Sequence, residues 1–243
     1  MWALYKKELS DFFSSLVGYI VICIFLLATG LVLWLFPNEF NITLGGYAVL
    51  DGLFVLAPFV FLFLLPAITM RMFAEEYNTG TIELLFTFPI SRWQIIFSKF
   101  LAGLTIFILS LLPTLIYFYS VYQLASPVGN VDIGGIAGSY IGLILLGMTF
   151  LSLGIFSSSI ANNQLIAFLI AFVLSLFFYI GFEFISRLPI FDSISLFIKS
   201  LGINDHYISL SRGVIDSRDV IYLLSLTFGF LYLTKYKLDH RSR

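Results

Sequence analysis

Apolar residues run through this chain in long unbroken stretches, and the polar residues gather between them. Six stretches are long enough, or nearly so, to cross a bilayer: approximately Val17 to Phe36, Leu53 to Met70, Phe100 to Tyr122, Ile136 to Phe156, Gln164 to Phe182 and Val220 to Thr234. A hydrocarbon core of ~30 Å takes about twenty helical residues. Runs without period-two alternation predict helices, because a barrel strand alternates lipid-facing and lumen-facing residues. Pro58, Pro66 and Pro113 fall inside these runs, and bundled membrane helices tolerate such kinks. Lys6 and Lys7 precede the first run as they would in a signal peptide. That run is longer than a signal peptide's ~7–15 apolar residues and no small-x-small site follows, so it is expected to be a retained first span.

The polar intervals have patterns of their own. In residues 1–16, Trp2, Tyr5, Leu9, Phe12, Phe13 and Leu16 recur at helical spacing, with Lys6, Lys7, Glu8, Ser10, Asp11 and Ser14 on the remaining surface. This predicts an amphipathic helix in the membrane interface, anchored by Trp2, Tyr5, Lys6 and Lys7, the alternative being a frayed tail. Gly134, Gly138 and Gly142 open the fourth span at four-residue spacing, which predicts close helix packing, within the chain or against a second chain. Residues 186–219 mix Pro189, Ile190, Phe191, Leu196, Phe197, Ile198, Leu201 and Ile208 with charges. One or two short re-entrant or interfacial helices are expected there.

Composition narrows the class. The chain has 243 residues, of which 60% are hydrophobic and 11% charged, with a mean hydropathy of +1.01. A soluble domain is about a quarter charged, so this is an all-α polytopic membrane protein. With the N-terminus inside, nine Lys and Arg fall on the inner side (Lys6, Lys7, Arg71, Arg92, Lys99, Lys235, Lys237, Arg241, Arg243) and four on the outer (Arg187, Lys199, Arg212, Arg218). That excess predicts both termini inside. Thirteen basic residues without a basic stripe give no nucleic-acid groove. Cys23 stands alone in an apolar run and reads as a small buried hydrophobe.

Several chemistries find no residues. Asp51 and Glu183 lie at span ends and no ionisable side chain is expected near the middle of a span, which disfavours an ion-coupled carrier. His206 and His240 have no metal-site or nucleophile-base spacing and read as solvated or interfacial. Ser157, Ser158 and Ser159 sit beside Asn162 and Asn163 at a predicted turn and read as helix ends and caps. No phosphate-binding Gly-x-x-x-x-Gly-Lys-Ser/Thr loop is present. No catalytic or metal-binding residue is assigned.

The densest charge before the C-terminal tail is Glu75-Glu76-Tyr77-Asn78-Thr79-Gly80-Thr81-Ile82-Glu83-Leu84-Leu85, followed by Pro89, Arg92 and Lys99. Gly80 supplies a permissive turn, Thr81 can cap the next helix, and Glu83 in its first turn suits the helix dipole. Leu84, Leu85, Phe86 and Phe88 offer an apolar knob ended by Pro89. An acid-rimmed apolar knob is a docking surface, the alternative being an interfacial linker.

The run from Arg71 through Glu75-Glu76, Gly80-Thr81-x-Glu83-Leu84-Leu85, Pro89, Arg92 and Lys99-Phe100 resembles the loop of ABC-2 type (type V exporter) permeases. It departs from the family pattern at Tyr77 and Asn78, where basic residues are frequent, and at Ser98, where glycine is. The resemblance implies one transmembrane domain over residues 1–243. In it, residues 1–16 form an interfacial helix, 73–98 a cytoplasmic coupling segment between spans 2 and 3, and 186–219 an outer loop before span 6. It implies that Glu75, Glu76, Gly80, Thr81, Glu83, Leu84, Leu85 and Pro89 dock on a separate ABC ATPase subunit, which binds ATP and Mg²⁺, leaving no cofactor in this chain. It also implies a second permease chain, identical or related, in a bacterial inner membrane. The outer run from Arg212-Gly213-Val214-Ile215-Asp216-Ser217-Arg218-Asp219 to Tyr222, with His206, is most similar to permease subunits of gliding-motility systems, with copper-enzyme maturation permeases as near neighbours. A membrane-embedded enzyme would need a polar cluster, for which Glu183, Asp192, Asp205 and His206 are the candidates. A scaffold that moves no cargo is a further alternative.

Overall fold

Every regular element is helical among the described residues of the computed structural model, which are 1–44, 49–87 and 89–241, without the side chains of Val17, Leu84, Phe86 and Arg241. Phe88 and Arg243, both used in the sequence reading, lie outside them. Helix α1 (Trp2–Ser14) is parted from α2 (Leu16–Gly30) by one extended residue, Ser15, and α2 continues as a π-helical turn over Leu31–Leu35. Then come α3 (Asp51–Thr69) and two short helices, α4 (Ala74–Asn78) and α5 (Thr81–Thr87). α6 (Arg92–Leu111) passes through a 3-10 turn at Pro113 into α7 (Leu115–Leu124). α8 (Ile133–Ile160) and α9 (Gln164–Leu176) follow, α9 leading by a π turn into α10 (Phe182–Ser186). After a 3-10 turn over Pro189–Ile194 come α11 (Ser195–Lys199), α12 (Ile203–Ser211) and α13 (Ser217–Arg241).

Five helical stretches are long and apolar enough to cross a membrane: Gly18–Leu35, Asp51–Asn78, Arg92–Leu124, Ile133–Ile160 and Gln164–Ser186. They match the first five expected spans, the first of them to within a residue at each end. The sixth, Val220 to Thr234, lies within α13, which is not among the five because Arg218, Asp219, Lys235 and Lys237 flank its apolar middle. The third expected span starts too late at Phe100: its helix begins at Arg92, where Ser91 and Gln94 form a capping box.

α8 is the hub, packing against α3, α6, α9, α12 and α13, with Leu143, Leu146, Phe150, Leu151 and Leu153 all at 0% exposure. Its glycines admit the neighbours. A Cβ on Gly138 would lie 2.5 Å from the Gly213 carbonyl oxygen, and one on Gly142 2.7 Å from Leu210 Cβ. This face is therefore filled from within the chain, by α12 and the loop after it; Gly134 meets only Asp132. Gly213 has φ +79, a conformation that glycine adopts without steric cost.

Pro58 lies inside α3 and has no N–H, so the helix leaves the Phe54 carbonyl free. Tyr207 of α12 fills the gap, its hydroxyl donating to Phe54 O at 2.7 Å. Helix α12 thus packs inward, with Ile203, Tyr207 and Leu210 buried, whereas Ile190, Leu196 and Phe197 before it stay exposed. Of the two expected settings for His206, solvated or interfacial, full solvation is excluded, since its side chain is 17% exposed. Its Nδ1 lies 2.7 Å from Asp219 Oδ1, its Nε2 2.9 Å from Ser200 O, and its ring stacks on Tyr222.

At the opposite end of the bundle, the start of α6 meets the end of α13. Arg92 Nε lies 4.0 Å from Asp239 Oδ1, and Trp93 sits against Tyr232 and under the Lys235 ammonium. Ser98 of α6 donates to Met1 O at 3.0 Å. Both ends of the described chain and the α4–α5 segment therefore share one end of the fold.

Candidate functional site

The α4–α5 segment is shaped by its own sequence and held by residues distant from it. α4 ends where Gly80 takes φ +74, and α5 starts at Thr81, which is its first helical residue instead of its cap, with Glu83 in the first turn. Thr79 and Thr81 share a hydroxyl hydrogen bond at 2.9 Å. The start of α4 is capped from another helix. Ser158 Oγ accepts from the N–H groups of Phe73 at 3.0 Å and Ala74 at 3.1 Å, and donates to Met70 O at 3.2 Å. Ser158 is thus more than an end of its own helix: it satisfies orphan donors at the mouth of α4.

Glu75 and Glu76, adjacent in a helix, point different ways. Glu75 is exposed, and Glu76 is buried at 7%. Glu76 Oε1 receives Lys99 Nζ at 3.0 Å and Lys7 Nζ at 3.3 Å. Lys99, at 0% exposure, also donates to Glu8 Oε1 at 2.7 Å and to Met72 O, and its ammonium lies 4.9 Å from the Phe73 ring centroid. One ammonium from α6 therefore joins a carboxylate from α1 to a carboxylate from α4. A buried charge is tolerated only with such partners. Lys99 lies in the first third of the Arg92–Leu124 helix, inside that stretch but away from its middle.

Further bonds seat α1. Tyr5 OH and Thr105 Oγ1 are 2.9 Å apart, and Arg71 Nη1 donates to Ser15 Oγ at 2.6 Å. Trp2 is 66% exposed, stacks on Tyr5 at 5.1 Å and carries the Lys6 ammonium 5.4 Å from its ring. Burial acts to lower the Lys7 ammonium, but the carboxylates of Glu76 and Glu8 outweigh it and raise its pKa above 10.5. For Glu8, burial raises the carboxyl above 4.5, and Lys99 only partly offsets this.

The outward side of the segment carries Glu75, Gly80, Thr81, Glu83 and Pro89, all exposed, with Leu85 half-buried and Ile82 buried. Leu84 belongs to α5, but its side chain, like those of Phe86 and Phe88 in the expected knob, lies outside the described ones. Sequence reasoning missed Glu8, Lys99 as a clamp, and Ser158 as a cap. One signal was available for Lys99: Ser91-x-x-Gln94 is a capping-box pattern that starts the helix early enough to enclose it.

A helical bundle with five stretches long and apolar enough to cross a membrane defines a multi-pass membrane protein. The chain matches the ABC-2 family transporter proteins over residues 2–236 and belongs to that family. It is a membrane permease of an ABC transporter, a class that works with an ABC ATPase subunit. No curated protein matches the chain.

Proposed function

We propose that the α4–α5 segment is the coupling element through which a separate ATPase subunit, carrying ATP and Mg²⁺, moves the spans of this permease. The observation that carries this reading is the Lys99 clamp. It fixes the rear of the segment to α1 and α6 while Glu75, Thr81, Glu83 and Pro89 stay exposed in front. A push on the exposed side is then delivered to α3 and α6 together with α1. Coupling requires that these contacts differ in free energy between the nucleotide states of the ATPase.

In this reading α13 is the sixth span. The N-terminus, C-terminus and coupling element face the cytoplasm of a bacterial inner membrane, in line with the excess of Lys and Arg on that side. Trp2, Tyr5, Lys6 and Lys7 anchor α1 at the inner interface, and the exposed Ile190, Leu196 and Phe197 rest in the outer leaflet. A second permease chain, identical or related, completes the transporter through a face other than the glycine face of α8, which α12 occupies. The complex exports a substrate or transmits force across the membrane. The outer run from Arg212 to Tyr222 supports a gliding-motility system as its setting.

Affinity purification of the full-length chain with its ATPase, comparing wild type with Glu83→Lys and Leu85→Asp, tests this. Both variants should insert normally and lose the ATPase. Wild-type recovery of the ATPase by both would overturn the assignment.

A further inference from the structure

At the end of the bundle opposite the α4–α5 segment, the His206 ring of α12 bridges two acceptors. Its Nδ1 lies 2.7 Å from Asp219 Oδ1 in the first turn of α13, and its Nε2 lies 2.9 Å from Ser200 O in the turn between α11 and α12. A carbonyl oxygen only accepts, and so does an ionised carboxylate, so both contacts are hydrogen bonds only when both ring nitrogens carry a proton. A neutral imidazole has one N–H and would set a bare nitrogen against one of the two oxygens. The ring also stacks on Tyr222, with centroids 3.9 Å and planes 23° apart, a face that attracts a cation. The Tyr222 hydroxyl in turn donates to Leu201 O. Two stacked rings thus hold the successive carbonyls of one turn. Gly202 follows them, and a Cβ there would lie 3.2 Å from Phe182 Cβ, so the turn is seated against α10.

The other charges around α12 are engaged elsewhere or face away. Lys199 of α11 pairs with Asp205 at 3.0 Å, and Glu183 of α10 pairs with Arg187 and accepts from Asn204 at 3.0 Å. Arg212, at the end of α12, and Arg218, beside Asp219, are exposed. α8 has no charged residue in its length, and α3 has Asp51 alone, exposed in its first turn. Of the neutral titratable groups, Tyr140 of α8 is bonded to Thr114 at 3.0 Å, and Tyr179 of the π turn packs against Phe59 and Phe150. Asp219 is therefore the one carboxylate that pairs with the ring among the described residues. At 17% exposure the His206 side chain still reaches water, to which a proton can be released.

We propose that His206 is a proton-operated latch that fastens the α11–α12 turn to the start of α13. With both ring protons present the latch is closed. Release of one leaves the other on Nδ1, because a hydrogen bond to a carboxylate is stronger than one to a carbonyl. Nε2 then presents a lone pair to Ser200 O, and the α11–α12 turn comes free while α12 stays tied to α13. The exposed Leu196 and Phe197 of α11 move with that turn. The latch lies away from the proposed docking surface and needs no ATPase, so its failure and that of the coupling element are separate results.

The test is hydrogen exchange, read by mass spectrometry over residues 195–204 of the full-length protein in nanodiscs. It runs from about pH 5 to about pH 8.5, which spans the charge change of histidine, with rates corrected for the intrinsic effect of pH on exchange. The N–H groups of Ser200, Leu201 and Gly202 bond back to Leu196, Ile198 and Lys199. Their protection should fall about tenfold as pH rises, the loss of one charge-assisted hydrogen bond, while that of residues 220–234 stays constant. His206→Gln should abolish the dependence. Asp219→Asn removes the counter-charge and should move the fall to lower pH, which a merely structural role would not do. Nitrogen-15 NMR of the ring, with His206→Gln separating its signals from those of His240, should show a bare Nε2 and a protonated Nδ1 at high pH. Wild-type protection independent of pH, the same fall persisting in His206→Gln, or a bare Nδ1 would overturn the inference.

Discussion

Lys99 Nζ and Glu8 Oε1 lie 2.7 Å apart, joining a helix that crosses the membrane to one that precedes the first span. The same ammonium reaches Glu76 at 3.0 Å, so three separate elements meet on one atom. Removing a partner from a buried ion group costs more than the group contributes when intact, because the remaining charges keep their desolvation penalty.

Lys99→Met should therefore destabilise the protein by about 3–5 kcal/mol, seen as a lowered midpoint in denaturant unfolding in detergent micelles. The variant should also release α1, detectable as faster hydrogen exchange over residues 2–14.

Glu8 behaves differently, because burial outweighs Lys99 in setting its proton affinity. The folded state holds that proton more tightly than the unfolded chain does. Its contribution therefore favours folding at pH below the ordinary carboxylate value near 4.5, and is lost as pH rises through the raised value. Glu8→Gln should flatten this part of the stability-pH profile, and at pH 7 it should cost far less than Lys99→Met. Thermal melts of both variants across pH 4–8 check the ordering.

On the α8 face, Gly142→Leu must displace α12, since the first added carbon would already sit 2.7 Å from Leu210 Cβ. Overpacking of about 1–3 kcal/mol is expected, with the loss localised by hydrogen exchange to α12.

Tyr207→Phe leaves the Phe54 carbonyl without its donor and should cost about 1 kcal/mol. In a Pro58→Ala background the backbone N–H returns to that carbonyl, and the same substitution should become nearly neutral. A double-mutant cycle reads this coupling directly.

The first five spans were legible because lipid-facing and buried surfaces are both apolar, so length and hydropathy alone mark them. The glycine spacing of α8 was legible as close packing, though only the fold identifies Leu210 and Gly213 as what it packs against. The clamp was not legible. Lys99 pairs with residues 91 and 23 positions away, and no local period records such a partnership. Glu75 and Glu76 look equivalent in sequence, yet helical geometry sends neighbouring side chains about 100° apart, one outward and one inward. Ser158 was hidden for a related reason: a serine near the end of its own helix gives no sign that it caps another.

That serine sets the mechanics of the α4–α5 segment. Three backbone groups, the N–H of Phe73, the N–H of Ala74 and the carbonyl of Met70, converge on one hydroxyl oxygen carried by the hub helix. Convergence on a single atom resists stretching but leaves rotation about that atom cheap. Lys99 and its carboxylates, a short distance along, tolerate small shifts at little energy because ion pairs weaken only gradually with separation. The segment thus has a swivel at one point and an elastic tether at another, so a force on its free side is turned into tilt before it becomes displacement.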